Sequence, residues 1–542
     1  MKEARLLDCT LRDGGYLNDW KFGHDNIISI FERLVDAGVE FIEIGFINEK
    51  RQYDPDRSIF PDTASIGRTF HGIDRKNALV FGMIDYGTCD ISHIQPCAES
   101  WLDGIRVIFK EHLREPAMAY IRQLKELGYI VTAQLVSVTT YTEETMMDLV
   151  RLANDVRPYA VSMVDTYGLM HQNNLKFYYE ILDRYLEPDI AVGYHGHNNF
   201  QMGYANCIEM LSFSEKTNRT LLVDGTLYGM GKSAGNAPLE LVAMHMNHKY
   251  AKSYDISQML EAIDASVRHF NCQPVWGYSL FYYISALHEC HPNYVEYLMS
   301  TRSLSVKQIG EILDRLQGKK KLLYDRRYIE EIYRDYLTYD ICDEADLSRL
   351  RAAFQGRKLL LLGPGPSAVR ETETIKDFAA VENPLVITIN YMSDSIPADY
   401  IFLSNSKRYV QLATKLNQSG VGIIATSNVT SVGKPFAYRV DITKLMDRNA
   451  EFVDNSLMMC VKLLVHIGVA EVSLAGFDGY SGTQSNYFDS TKEYDFARKQ
   501  ADYFNRYISD FLASVSDRIH VKFLTSTRYQ VPEFRKTDGE NL

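Results

Sequence analysis

Between residues 5 and 250, short β-branched or apolar runs alternate with amphipathic helical stretches eight times over. The strand candidates are Leu6–Leu11, Phe41–Gly45, Leu79–Ile84, Ile105–Phe109, Ile130–Val136, Ala160–Asp165, Ile190–His195 and Leu221–Asp224. Helix-period segments fall between them at Asp25–Ala37, Pro116–Leu127, Thr142–Asp155, Asn173–Tyr185 and Met202–Phe213. Thr142 followed by Glu143 and Glu144 has the form of a helix start. Eight strand–helix units in about 250 residues is the count of a (β/α)8 TIM barrel. The competing architecture, an open doubly wound sheet, would carry a glycine-rich phosphate turn after its first strand, and none is there.

Barrel chemistry sits at the carboxyl ends of the strands. The first strand closes with Asp8-Cys9-Thr10-Leu11-Arg12-Asp13-Gly14-Gly15, putting two charges at the mouth and glycines where backbone can approach a ligand. The sixth closes with Asp165-Thr166-Tyr167-Gly168. The seventh ends in His195-Gly196-His197-Asn198. Residues i and i+2 of an extended chain share a face, roughly 6.5–7 Å apart, so both imidazoles can turn to one ion. The eighth leads into Gly229-Met230-Gly231-Lys232-Ser233-Ala234-Gly235-Asn236, a polar loop expected to be flexible and to reach over the mouth. Strands one, seven and eight are neighbours in a closed barrel, so Asp13, His195 and His197 can meet, with Asn236 adding a neutral oxygen. That donor set suits Mn²⁺ best, with Zn²⁺, Co²⁺ or Mg²⁺ as alternatives and iron open.

Asp8-x-Thr10-Leu11-Arg12-Asp13-Gly14, His195-x-His197-Asn198 and Gly229-x-Gly231-x-x-x-Gly235-Asn236 resemble the signatures of the HMG-CoA lyase-like metallolyase barrels, the DRE-TIM family. The resemblance spans residues 1–300 and comes nearest to 4-hydroxy-2-oxovalerate aldolase. It implies Asp13, His195, His197 and Asn236 as metal ligands and Arg12 as the cation that steadies an enolate oxygen. Gly14, Asp165 and Thr166 would line the substrate site. The implied reaction forms or cleaves a carbon–carbon bond between a pyruvate-type 2-oxo acid and an aldehyde. The related aldolases have a histidine three residues beyond the metal aspartate; here Tyr16 stands there, and the base stays unassigned between Tyr16 and nearby His24. The tyrosine-rich segment Val275–Ile284 is similar to the aldolases' post-barrel segment, which implies Tyr278 as a proton donor and leaves room for a dehydrogenase partner. The acyl-CoA Claisen synthases share the barrel and are the alternative.

Three domains are expected in 542 residues: the barrel over 1–250, a helical extension over 251–350 that completes the active site, and an α/β domain over 356–542. In the last, the apolar strand Leu359–Leu362 runs into Gly363-Pro364-Gly365-Pro366-Ser367, a turn where a phosphate can sit. Further strands are predicted at Leu385–Ile389 (ending in Asn390), Tyr400–Leu403, Val421–Ala425 and Val472–Leu474, a Rossmann-like layout. With the later Gly476-Phe477-Asp478, these features are similar to bacterial CMP-sugar-dependent sialyltransferases. That implies a nucleotide or nucleotide-sugar ligand at Gly363, Gly365, Ser367 and Asn390, a role in acidic-sugar or surface-glycan synthesis, and, as a third alternative, a glycosyltransferase with the barrel as scaffold.

The net charge of −12 argues against a general nucleic-acid binder. No apolar run reaches the ~20 residues of a membrane span, and Met1-Lys2-Glu3-Ala4-Arg5 leads straight into a strand, so a cytoplasmic homo-oligomer is expected. The eight cysteines lack paired metal spacing, and Cys89, Cys97, Cys272 and Cys290 read as fillers.

Overall fold

The computed structural model describes residues 4–270, 276–300, 304–338, 341–431, 433–447, 455–489 and 495–530. Cys272 and Val275 fall outside them. The chain divides after Pro292 into two compact units, within the helical stretch 251–350 that the sequence marks off.

In the first unit, eight parallel strands close on themselves: β1 (Ala4–Asp8), β2 (Phe41–Ile47), β3 (Leu79–Asp85), β4 (Gly104–Phe109), β5 (Ile130–Leu135), β6 (Ala160–Asp165), β7 (Ala191–Gly196) and β8 (Leu221–Gly225). Pairing of β1 with both β8 and β2 shuts the barrel. A two-residue strand, Ile59–Phe60, adds to the edge of β2. The strands read as near-continuous apolar runs because helices cover their outer faces. Helix Glu143–Val156 starts as its sequence foretells, with Thr142 Oγ1 accepting the Thr145 amide at 3.2 Å.

The first strand is shorter than predicted. The Asp8 carboxylate accepts both the amide and the hydroxyl of Thr10, at 3.0 and 2.6 Å, and this local bonding turns the chain into a helical turn at Thr10–Asp13. Arg12 and Asp13 therefore lie on a turn folded over the barrel, not on a strand.

In the second unit, helices Val306–Leu313, Arg326–Thr338 and Glu344–Phe354 precede a seven-stranded sheet. Its strands are β9 (Leu359–Leu362), β10 (Leu385–Ile389), β11 (Tyr400–Leu403), β12 (Gly422–Thr426), β13 (Tyr438–Val440), β14 (Glu471–Ala475) and β15 (His520–Phe523), all parallel in the order β13-β12-β11-β10-β9-β14-β15. The order reverses between β9 and β14. β13 and β15, short and partly polar, escape the sequence reading.

Candidate metal centre

The turn after β1 and the end of β7 bring three donors together. Asp13 Oδ2 lies 3.5 Å from His195 Nε2 and 4.0 Å from His197 Nε2, and all three side chains are buried. The two rings stand nearly perpendicular with centroids 5.2 Å apart, on one face of the extended chain, as their spacing requires. Burial would raise the Asp13 carboxyl, but Arg12 and the two histidines outweigh it and hold it well below the usual range. Burial lowers His197 to about 3, which keeps it neutral and able to donate its lone pair. For His195 the same burial is outweighed by the Asp13 and Asp224 carboxylates on either side of its ring, and its pKa rises.

Behind these donors the barrel lumen holds a buried charge chain. Asp224 Oδ2 sits 3.1 Å from His195 Nδ1 and 2.5 Å from an Arg106 nitrogen. Arg106 reaches Glu43 at 3.3 Å and Gln134 at 2.9 Å, and Glu43 accepts Arg12 Nε at 2.7 Å. Arg12 also pairs with Asp13. Each charge has a counter-charge, without which burial would be prohibitive. Asp224 engages Nδ1 and leaves Nε2 of His195 turned to the centre, the arrangement that fixes a metal-ligating imidazole.

The loop after β8 is pinned rather than flexible. Asn198 donates from its amide backbone to Gly235 O and from Nδ2 to Asn236 O, both at 2.8 Å, and the Lys232 amide donates to Asp13 Oδ1 at 2.9 Å. A Cβ on Gly231 would come within 2.2 Å of Asn236 Nδ2 and 2.7 Å of Asp13 Oδ1, so this position has to be glycine. The Asn236 side chain is buried beside the triad.

A divalent cation fits these residues. His195 Nε2 and Asn236 Oδ1 are buried and have no hydrogen-bond partner, a costly state that an ion would relieve. The donor set of one carboxylate, two imidazoles and one amide oxygen suits an ion of intermediate hardness.

The remaining residues named from the sequence divide. Gly14 is buried against Met230 near the centre. Tyr16 packs at a tilt against Trp20 and edge-on against Phe46, its ring 5.3 Å from Lys232 Nζ; the residue is 42% exposed, and desolvation pushes its hydroxyl above the ordinary tyrosine value. His24 begins helix His24–Asp36 and faces Asp25 at 3.7 Å, with no contact to the triad. Asp165 is spent on the backbone: its two oxygens accept the Leu169 and Met170 amides at 2.8 and 2.9 Å. Thr166 Oγ1 likewise accepts the Ser137 amide at 2.8 Å. Tyr278 is 68% exposed; it is Trp276 and Gly277 that anchor its segment, to Tyr228 O and Ala234 O at 2.9 and 3.1 Å. Glu43 and Arg106 were not anticipated, although a lone charge inside each apolar run, Phe41-Ile42-Glu43-Ile44 and Ile105-Arg106-Val107, was the available signal.

In the second unit the glycine turn does not offer a phosphate cradle. Asp478 fills it, accepting the Ser367 amide at 2.9 Å and the Ser367 hydroxyl at 2.6 Å, and a Cβ on Gly365 would strike its carboxylate at 2.2 Å. Asn390 is tied to Ser404 and Ser456. Beside the turn, where the strand order reverses, lies a cavity of about 180 Å³ lined by Tyr391, Phe477, Tyr480 and Tyr487, with Asn390 and Arg408.

Residues 3–265, just under half of the chain, match the family model described as HMGL-like. The protein is similar to an oxaloacetate decarboxylase of Mycobacterium tuberculosis, 28% identical over 269 residues, covering 48% of this chain and 75% of that one. It is similar to 4-hydroxy-2-oxovalerate aldolase 6 of Rhodococcus jostii, 24% identical over 49% of this chain and 75% of the relative. It is also similar to a 2-isopropylmalate synthase of Saccharolobus solfataricus, at 25% over 62% and 88%. Among solved structures, HMG-CoA lyase of Bacillus subtilis aligns at 16% identity over 51% of this chain and 96% of that chain, with a TM-score of 0.41. The family match ends at residue 265 and lends the sialyltransferase likeness of the C-terminal domain no support. No helix among the described residues is long and apolar enough to cross a membrane.

Proposed function

We propose that this HMGL-like domain is a divalent-metal-dependent carbon–carbon lyase that acts through the enolate of a pyruvate-type 2-oxo acid. The observation that carries the reading is the buried group of Asp13, His195 and His197, with His195 Nε2 and Asn236 Oδ1 left unpaired. A divalent ion there supplies Lewis-acid polarisation of the 2-oxo acid carbonyl. Arg12, locked between Glu43 and Asp13, contributes a fixed positive charge beside the position where the enolate oxygen develops. Asp224 holds the His195 ring so that a single nitrogen faces the reactants.

An aldol cleavage needs a base for the substrate hydroxyl, and Tyr16, with its pKa raised, is a poor one. This favours a second reading on the same centre: decarboxylation of a 3-carboxylated 2-oxo acid, in which departing CO2 delivers the enolate without deprotonation of a hydroxyl. The similarity to a protein named oxaloacetate decarboxylase points the same way. Metal-loaded protein incubated with pyruvate in deuterated water should exchange methyl protons, and oxaloacetate should lose CO2 faster than with metal alone. Neither activity in protein that binds the metal would overturn the proposal; thiol release from acetyl-CoA and a 2-oxo acid would replace it with the Claisen synthase. His195→Ala is the control.

For the C-terminal domain we infer a nucleotide or nucleotide-sugar ligand, seated in the aromatic cavity and not at the glycine turn. Ligands of open α/β sheets bind at the point where strand order reverses; aromatic walls stack a base, and Arg408 offers a cation for phosphate. Fused to a barrel that handles 2-oxo acids, such a domain suits acidic-sugar synthesis. CMP or UDP at millimolar concentration should raise the unfolding temperature of the full chain, and Tyr480→Ala should abolish the shift. No shift with either nucleotide would sink this assignment.

A further inference from the structure

Lys232 is the one residue of the pinned loop whose side chain carries charge into the mouth. Its backbone amide holds Asp13 Oδ1 at 2.9 Å, which fixes its Cα beside the centre. Its side chain is half-buried and lays Nζ over the Tyr16 ring, 5.3 Å from the centroid. Arg12, His197, Lys110 and His291 share this space with it, against Asp13 and Asp85. The positive groups differ in how they are compensated. Arg12 is neutralised by Glu43 and Asp13. The Lys232 ammonium has no carboxylate within ion-pair reach among the described residues, and the Tyr16 face supports it only weakly. A half-buried cation with no carboxylate partner gains from a ligand that supplies one.

We propose that Lys232 is a specificity-determining residue that selects substrates with a second carboxylate, so that the barrel takes dicarboxylic 2-oxo acids in preference to their monocarboxylic counterparts. This rests on the reading of the triad as a metal site for 2-oxo acids. With its amide on Asp13 and its Nζ over the Tyr16 ring, Lys232 holds the ammonium within one side-chain length of the centre, which suits a four- or five-carbon diacid. The charge-assisted hydrogen bond to the ammonium discriminates against a methyl group at the same position.

The test uses two inert four-carbon ligands that chelate alike and differ at one end: malate, with a terminal carboxylate, and 2-hydroxybutyrate, with a methyl. Calorimetric titration into the manganese-loaded full chain should show malate binding at least about tenfold more tightly. Lys232→Met should remove the preference and Lys232→Arg should keep most of it, with manganese stoichiometry measured in each variant to show that the centre persists. Equal binding of both ligands, dependent on metal, would overturn the role of Lys232 and leave the metal site standing. A preference that survives in Lys232→Met would also overturn it. Failure of both ligands to bind metal-loaded protein would overturn the site reading and this proposal with it.

Discussion

Asp224 meets His195 at Nδ1, 3.1 Å away, on the ring edge opposite the one that faces Asp13. The same carboxylate oxygen neutralises Arg106, so a single side chain joins the charge chain of the lumen to the donor set at the mouth. Asp224→Asn keeps the shape and removes the charge, and should weaken divalent-metal binding by about 10–100-fold. Competition against a chelating dye measures this. Asp224→Ala takes from the buried Arg106 guanidinium the nearer of its two carboxylates, leaving only Glu43, and should cost roughly 3–5 kcal/mol in urea unfolding. Unchanged metal affinity in Asp224→Asn would show that the hydrogen bond does not orient the ring.

Gly231→Ala tests how tightly the loop is built around the centre. The added methyl would sit 2.2 Å from Asn236 Nδ2, which faces Met230 O at 3.5 Å, and 2.7 Å from Asp13 Oδ1, which the Lys232 amide holds at 2.9 Å. The expected result is at least about a tenfold loss of metal affinity with little change in far-UV circular dichroism. Gly420→Ala, where a Cβ meets nothing within 4 Å, is the control.

Tyr16→Phe should leave turnover of any 2-oxo acid substrate within about threefold of the parent, because a phenol held in its neutral form cannot take a proton near pH 7. A loss of a hundredfold or more, with metal binding intact, would make the hydroxyl a proton donor and reverse this view. Steady-state kcat and KM over pH 6–9 distinguish the outcomes.

The barrel was legible because its information is periodic: each apolar run was long enough to be a buried strand, the segments between them had an amphipathic pattern, and one of them, at Thr142, carried a cap signal as well. The triad was legible because His195 and His197 share a face and strands one and seven are brought close by closure. What escaped is what depends on pairing across the chain. Nothing local says that Glu43 and Arg106, 63 positions apart, neutralise one another inside the lumen at 3.3 Å. The Gly363–Ser367 turn has the local form of an anion cradle, and only the fold reveals that Asp478 supplies the anion. Asp165 misled for a similar reason: a strand-end carboxylate looks the same whether it faces a substrate or caps two amides of its own turn.

Asp8 gives the metal-free protein a pH dependence whose sign can be worked out. Burial raises its carboxyl from 3.8 to about 7, with the Thr10 hydrogen bonds opposing and the negative charges of Glu43 and Asp224 adding to the rise. The folded state therefore keeps a proton that the unfolded chain gives up above pH ~4. The favourable contribution of protonated Asp8 is complete below pH ~4, declines as pH rises through about 7, and is level beyond. Asp8→Asn abolishes this titration while its amide retains an acceptor for the Thr10 N–H and a donor for the Thr10 hydroxyl. Urea unfolding in chelator should thus show the variant gaining on the parent between pH 4 and 7, by at most roughly 4 kcal/mol. A stability difference that is flat across that window would mean that Asp8 is ionised in the folded barrel, with its charge held by the two Thr10 hydrogen bonds.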